Sequence, residues 1–322
     1  MSNALRGGGV PPRRHHRGSI VGLLAVGVLL LTACLPMPPG SFNEHQFPPG
    51  VGPDLVRATT FRGSGVWWDM YDWSPTMTGG RPAVGLGDLD FYKANGVQVV
   101  YVQTATFRRP ETILDPATLK AVVQRAHQLE MRVVGWYLPQ FLDVNTDSHR
   151  LAQIAYLGVD GIAIDIEALD NPDVSSRNAA LIQITQNLRG AHPNLPLGAI
   201  TQSPVAMDIV SGGTFWPRFP WQTLVRYYDA FLPMAYYTFR TPESGYRDAY
   251  RYVAESVTRT RANTGVAWLP VHPVGGLAEL TSPADMAGMN QAIIDTYAIG
   301  GSFYDARTTA WWVWPYLRAF NH

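Results

Sequence analysis

The 322-residue chain has one cysteine, Cys34, which excludes structural disulfides, thiolate metal sites and a cysteine nucleophile from any folded domain after it. Lysine is nearly as scarce. Its two occurrences, Lys93 and Lys120, fall in helical stretches, which argues against Schiff-base chemistry. No glycine-rich phosphate loop, nucleophile elbow or His-Glu-x-x-His segment occurs. Net charge is also missing: 25 basic residues balance 25 acidic ones, and Arg6, Arg13, Arg14 and Arg17 lie in a segment expected to be removed, leaving about four negative charges. A nucleic-acid partner, which needs a basic surface to displace counterions from phosphate, is therefore not expected. Metal-ligand spacing is lacking too. His272, near Asp305, reads as a hydrogen-bonding residue, and no metal or cofactor is expected.

The apolar run 20–31 is short for a membrane span, which takes about 20 residues. It follows Arg13-Arg14-His15-His16-Arg17 and ends in Leu31-Thr32-Ala33-Cys34, which resembles the bacterial lipobox. The resemblance implies a signal peptide over 1–33, a lipidated Cys34 as the new N-terminus, export, and anchoring to the cell membrane. Residues 34–58 are rich in proline (Pro36, Pro38, Pro39, Pro48, Pro49, Pro53) and read as an extended tether. The remainder, 59–322, is expected to be one domain.

Beyond the tether a β-rich apolar run ending in polar or aromatic residues recurs eight times, at 65–69, 97–104, 132–138, 161–167, 197–202, 230–236, 265–271 and 300–305. Helix-like stretches, typified by 116–129, 176–191 and 246–263, lie between them. Asp115-Pro116 and Ser282-Pro283 place a side-chain cap before a proline in the first helical turn. Strict alternation predicts parallel strands with right-handed crossovers, and eight units predict an α/β fold, a single (β/α)8 TIM barrel. Chemistry in such barrels sits at the C-terminal strand ends. Those positions offer Asp69, Gln103, Tyr137, Asp165, Glu167, Gln202, Tyr236, His272 and Asp305.

The fourth run, Asp160-Gly161-Ile162-Ala163-Ile164-Asp165-Ile166-Glu167, carries most information. With a period of two, the isoleucines share one face while Gly161, Ala163, Asp165 and Glu167 share the other. Two carboxylates then project into the barrel mouth, roughly 7 Å apart along the strand at about 3.3 Å per residue. Such a pair holds a proton more tightly than a lone acid, the condition for a general acid at neutral pH. A structural pairing with Arg108 or Arg307 is the competing reading.

This segment resembles the fourth-strand signature Asp-Gly-x-Asp-x-Asp-x-Glu of the chitinase-like family 18 glycoside hydrolases. The resemblance implies that Glu167 is the general acid and that Asp165 orients a substrate N-acetyl group that attacks the anomeric carbon, with retention. Met234-Ala235-Tyr236-Tyr237 is similar to that family's Met-x-Tyr-Asp segment, which matches Tyr236 to the family tyrosine. Ala163 departs from the pattern where the family has its middle aspartate, and Tyr237 where it has an aspartate or asparagine. Asp165-Ile166-Glu167 with Asp69 is also similar to the family 25 lysozyme-like barrels, in which Asp69 or Asp305 would position water or a sugar.

Ten tryptophans supply flat faces suited to sugar rings, Trp136 and Trp73 foremost. The long stretch 203–220 after the fifth run reads as a lid, a binding wall or a surface excursion. The reading that results is a monomeric, anchored glycoside hydrolase acting on an N-acetylhexosamine-containing polysaccharide, with Asp69, Gln103, Trp136, Tyr137, Gln202, Trp73 and Asp305 binding substrate. The alternative is a non-catalytic glycan-binding lipoprotein on the same barrel.

Overall fold

A computed structural model describes residues 47, 48 and 50–321. The apolar run, Cys34 and most of the tether lie outside the described residues. Among the described residues no helix is long and apolar enough to cross a membrane.

Eight parallel strands close in chain order: β1 (Gly63–Trp68), β2 (Val99–Thr106), β3 (Arg132–Leu138), β4 (Gly161–Ile166), β5 (Leu197–Gln202), β6 (Ala230–Met234), β7 (Val274–Leu277) and β8 (Gly300–Tyr304). Three short helices, α1 (Leu55–Ala58), α2 (Met70–Trp73) and α3 (Pro75–Thr78), lie before and after β1. The crossovers are α4 (Leu86–Ala94), α5 (Pro116–Gln128), α6 (Val144–Ile154), α7 (Val174–Ala191), α8 (Trp221–Leu224), α9 (Ala249–Thr264) and α10 (Pro283–Thr296). The single TIM barrel expected from the alternation is the observed fold.

Strand parity sorts the apolar residues into two cores. Outward positions such as Val66, Trp68, Ile162, Ile164 and Ile166 join the shell beneath the helices. Inward positions, among them Trp67, Val99, Tyr101, Val134, Trp136, Ala163, Ile200, Leu232 and Met234, fill the lumen. Because the lumen is packed, ligands reach only its upper mouth.

Two local expectations are corrected. The seventh strand is not 265–271: Gly265 (φ +74°) ends α9 in the left-handed region, and Val271 makes only an isolated bridge to Phe231. Pairing with β8 begins at Val274, through Gly275 and Gly276. A Cβ on Gly275 would stand 2.6 Å from Met289 Sδ, so close helix approach, which leaves no β-propensity signal, selects glycine there. Asp115 does not cap α5. It sits at φ 35° and instead accepts hydrogen bonds from the Ser74 and Thr76 hydroxyls. Ser282 does cap α10, in a reciprocal box with Asp285.

At the closed lower end the chain just before the barrel is docked rather than extended. Gly52 N donates to Arg226 O at 2.9 Å, and Arg57 of α1 pairs with Asp229 at 2.9 Å. Asp229 is fully buried, and Arg189 (2.8 Å) and the Leu197 backbone N–H (2.9 Å) satisfy its other oxygen. Removing one partner of such a pair leaves uncompensated buried charge, which costs about 3–5 kcal/mol. Asp229→Ala is accordingly expected to lower stability by about that much in urea unfolding. A loss under roughly 1 kcal/mol, the scale of an exposed pair, would show that the cluster does not hold this end.

Candidate active site

The floor beneath the mouth is an aromatic layer. Trp67 stacks on Tyr101 with centroids 4.3 Å apart and planes 9° apart, and Trp136 meets Trp67 edge-on at 6.0 Å. His272, expected near the rim, belongs to this layer instead, fully buried among Phe61, Tyr101 and Ser302. Its Nδ1 lies 2.8 Å from the Phe61 carbonyl, which only accepts, so Nδ1 carries the proton and Nε2 accepts from Ser302 Oγ at 2.9 Å. Ser302 Oγ in turn accepts from Trp67 Nε1 at 2.8 Å. Burial pushes the His272 pKa down to about 3, which keeps the ring neutral.

Above the floor, inward parity on β4 continues Ala163, Asp165, Glu167. Asp165 is 7% exposed, and its Oδ1 has no hydrogen-bond partner in the protein. Burial first, and the negative charge of Glu167 second, raise its pKa well above the usual carboxylate value. Glu167 is half-buried at the strand end and accepts a 3.0 Å hydrogen bond from Gln202 Nε2. Burial raises its pKa too, opposed by that hydrogen bond. The pair therefore retains a proton, resting on Asp165 while Gln202 favours charge on Glu167. Among the described residues neither acid has an arginine partner: Arg108 reaches Tyr71, and Arg307 acts on Asp72.

Tyr236, on the inward face just beyond β6, completes the mouth. Burial, then the charges of Glu167, Asp165 and Asp305, raise its pKa well above 10, so it is a neutral hydroxyl donor. Its ring lies 6.4 Å from that of Tyr304. Tyr304 donates to Asp69 Oδ2 at 3.0 Å, and Asp69 lies beside Asp72 and Asp305. Burial, then Asp69 and Asp305, raise the Asp72 pKa to about 7. Burial also raises Asp305, against hydrogen bonds from Thr308.

Several expected site residues are structural. Tyr137 points into the outer shell, fully buried, donating to Asp147 at 2.6 Å and accepting from Arg150 at 3.0 Å. With Trp136 facing inward, period two sends its neighbour outward. Trp73 sits on α2, is 1% exposed, and donates its indole N–H to Gln103 O, so it is core and not a sugar platform. Trp136 is 4% exposed and is floor rather than open platform. Gln103 is occupied locally, accepting from Met70 N at 3.1 Å. Tyr237 is fully buried and hydrogen-bonds Thr281, so its side chain leaves the mouth. The 203–220 segment packs down: Trp216 meets Phe141, lies under the Arg177 guanidinium at 4.2 Å and donates to Asn178.

The structure thus brings Asp165, Glu167, Gln202 and Tyr236 together on β4 to β6, and Asp69 with Asp305 at β1 and β8. Sequence reasoning missed Asp72 and Tyr304. It also missed the exposed aromatics that follow strand ends, Tyr71 on α2 and Phe239 after β6; Trp311 after β8, 83% exposed, is one of the ten tryptophans noted in the sequence. Only position after an inward strand end could have flagged them.

No protein-family profile matches the sequence, and no curated protein matches it. Solved structures are similar in fold. An exo-beta-1,4-mannosidase from an Opitutaceae bacterium matches with a TM-score of 0.56 and 13% identity over 76% of this chain and 52% of that one. This chain thus spans about half of that protein's length. The Bacillus cereus spore cortex-lytic enzyme SleL matches with a TM-score of 0.57 and 9% identity over 81% and 74% of the two chains. The glycoside hydrolase domain of PgaB from Bordetella bronchiseptica matches at 0.51 and 12% over 77% and 95%. At these identities the likeness is one of fold alone, the (β/α)8 barrel.

The raised carboxyl pair has a stability consequence. The folded state binds a proton more tightly than the unfolded chain, whose carboxyls ionise near pH 4, so stability falls as pH rises from about 4 toward the raised values. Asp165→Asn removes the titrating, buried charge. Urea unfolding is expected to show the variant more stable than wild type at pH 8 by more than about 1 kcal/mol, with the difference shrinking toward pH 4. A constant difference across that range would contradict the coupling.

Proposed function

We propose that the chain is an exported, membrane-anchored glycoside hydrolase that cleaves an N-acetylhexosamine-containing polysaccharide with retention. The observation that carries this reading is the inward pair Asp165 and Glu167, without arginine partners among the described residues, both pushed by burial toward the protonated form beside the neutral Tyr236 hydroxyl. The resemblance of β4 to the family 18 signature supports the substrate class, as does the fold shared with a spore cortex-lytic enzyme.

The chemistry follows from the resting proton on Asp165. A substrate acetamide N–H donated to Asp165 favours its ionised form, and the resulting charge drives the proton onto Glu167. Glu167 then protonates the glycosidic oxygen as the acetamide carbonyl oxygen attacks the anomeric carbon and the C–O bond to the leaving sugar breaks. Tyr236 donates to the acetamide oxygen during this step. Glu167, now a carboxylate, takes a proton from water, whose oxygen attacks the same carbon and expels the acetamide, restoring the configuration.

A second reading, glycan binding without turnover, is favoured by Ala163. Its methyl group occupies the inward position below Asp165, so β4 has no third carboxyl to cycle a proton.

Glu167→Gln in the full-length chain is expected to lower kcat on peptidoglycan, chitin oligomers or N-acetylated exopolysaccharide by about 10²–10⁴. Activity unchanged by the substitution excludes Glu167 as the acid, while tight oligosaccharide binding with no product from wild type supports the second reading. Cys34→Ser is expected to move the protein from the membrane fraction to the soluble fraction in cells; retention in the membrane would overturn lipid anchoring through that residue.

A further inference from the structure

We infer that Asp69, Asp72 and Asp305 form a binding site for a hard divalent cation of the calcium type, at the seam where β1 and β8 close the barrel. One carboxylate oxygen from each lies within 4.8 Å of the others. Three points no more than 4.8 Å apart share a centre no farther than about 2.8 Å from any of them, that limit divided by √3. A small inward adjustment reaches the 2.3–2.6 Å of calcium–oxygen bonds, whereas the ~2.0–2.1 Å of magnesium requires a larger one.

The acidic cluster has a second feature that points to a ligand. Asp72 is 2% exposed, yet its Oδ2 has no hydrogen-bond partner; a backbone hydrogen bond from Asp69 and the Arg307 charge are what offset its carboxyl beside the two other acids. Its neighbours are held by donors that orient them. Asp69 Oδ1 accepts from Tyr71 N at 2.6 Å and Oδ2 from the Tyr304 hydroxyl at 3.0 Å. Asp305 Oδ1 accepts from Thr308 N at 2.9 Å and Oγ1 at 3.0 Å, which leaves its other oxygen for a ligand. A buried carboxylate oxygen left without a hydrogen bond is costly, and a cation shared with Asp69 and Asp305 supplies its partner. All donors are oxygens, with no nitrogen or sulfur, which matches a hard cation.

Placement gives the ion a role. Asp69 caps α2, Asp72 lies within it and Asp305 follows β8, so one ion fastens the segments that follow the first and last strands of the barrel. Through Asp69 it also fixes the Tyr304 hydroxyl, whose ring neighbours Tyr236.

The test uses the full-length chain in detergent, stripped with chelator and titrated separately with calcium and magnesium by calorimetry and thermal unfolding. Calcium at about a hundredfold excess over Kd is expected to raise the wild-type Tm by roughly 5–10 °C, with a smaller effect of magnesium. Asp72→Asn and Asp305→Asn are each expected to weaken calcium binding by at least about tenfold. Without metal, Asp72→Asn is expected to melt at or above the wild-type temperature, because a buried repulsion is relieved, which separates a lost site from a lost fold. If Asp72→Asn fails to fold, Asp305→Asn carries the comparison. No calcium-dependent heat or Tm shift in wild type, or one that survives in the folded variants, overturns the site.

Discussion

Two inward carboxyls two residues apart on one strand oppose ionisation where buried aromatic rings lie beneath them, and the mouth of this barrel is organised around that constraint. Trp67, Tyr101 and Trp136 close the lumen from below, and Asp165 Oδ1 has no hydrogen-bond donor among the described residues. Glu167, one step nearer solvent, has Gln202. The difference between the two environments decides where the shared proton rests, and therefore which acid a substrate must perturb.

Asp229 supplies the contrast within the same molecule. It is as deeply buried as Asp165, but two arginines and backbone N–H groups meet its oxygens, so it is a fastening for the lower end. Burial alone does not mark a functional acid. What distinguishes Asp165 and Asp72 is a buried carboxyl oxygen with no hydrogen bond, a state that lowers stability and persists where a ligand or a reaction uses it.

The barrel and the β4 pair were legible because both rest on periodicity: isoleucines outward, small and acidic residues inward, strand after strand. Misreadings arose where tertiary approach replaces propensity. The strand at Val274–Leu277 is half glycine because Met289 of α10 and Phe303 crowd Gly275 and Thr238 crowds Gly276, while the apolar stretch before it joins the barrel only at its end, around Val271. Tyr137 was assigned to the mouth beside Trp136, although adjacent strand residues face opposite sides. Trp73 and Asp72 lie on α2, a single helical turn too short for a period to predict which side chain turns inward; one proved to be core and the other a buried acid of the rim with an unpaired oxygen. The fold itself, shared with several glycoside hydrolases at low identity, hosts many chemistries, so the function proposed here rests on the acids.

Carbon-13 carboxyl NMR across pH 3 to 9, with Asp165→Asn and Glu167→Gln used for assignment, tests the shared proton most directly. One carboxyl of the pair is expected to stay protonated at neutral pH, with the proton resting chiefly on Asp165. Independent ionisation of both groups near pH 4 would contradict the coupling and with it the general-acid role of Glu167.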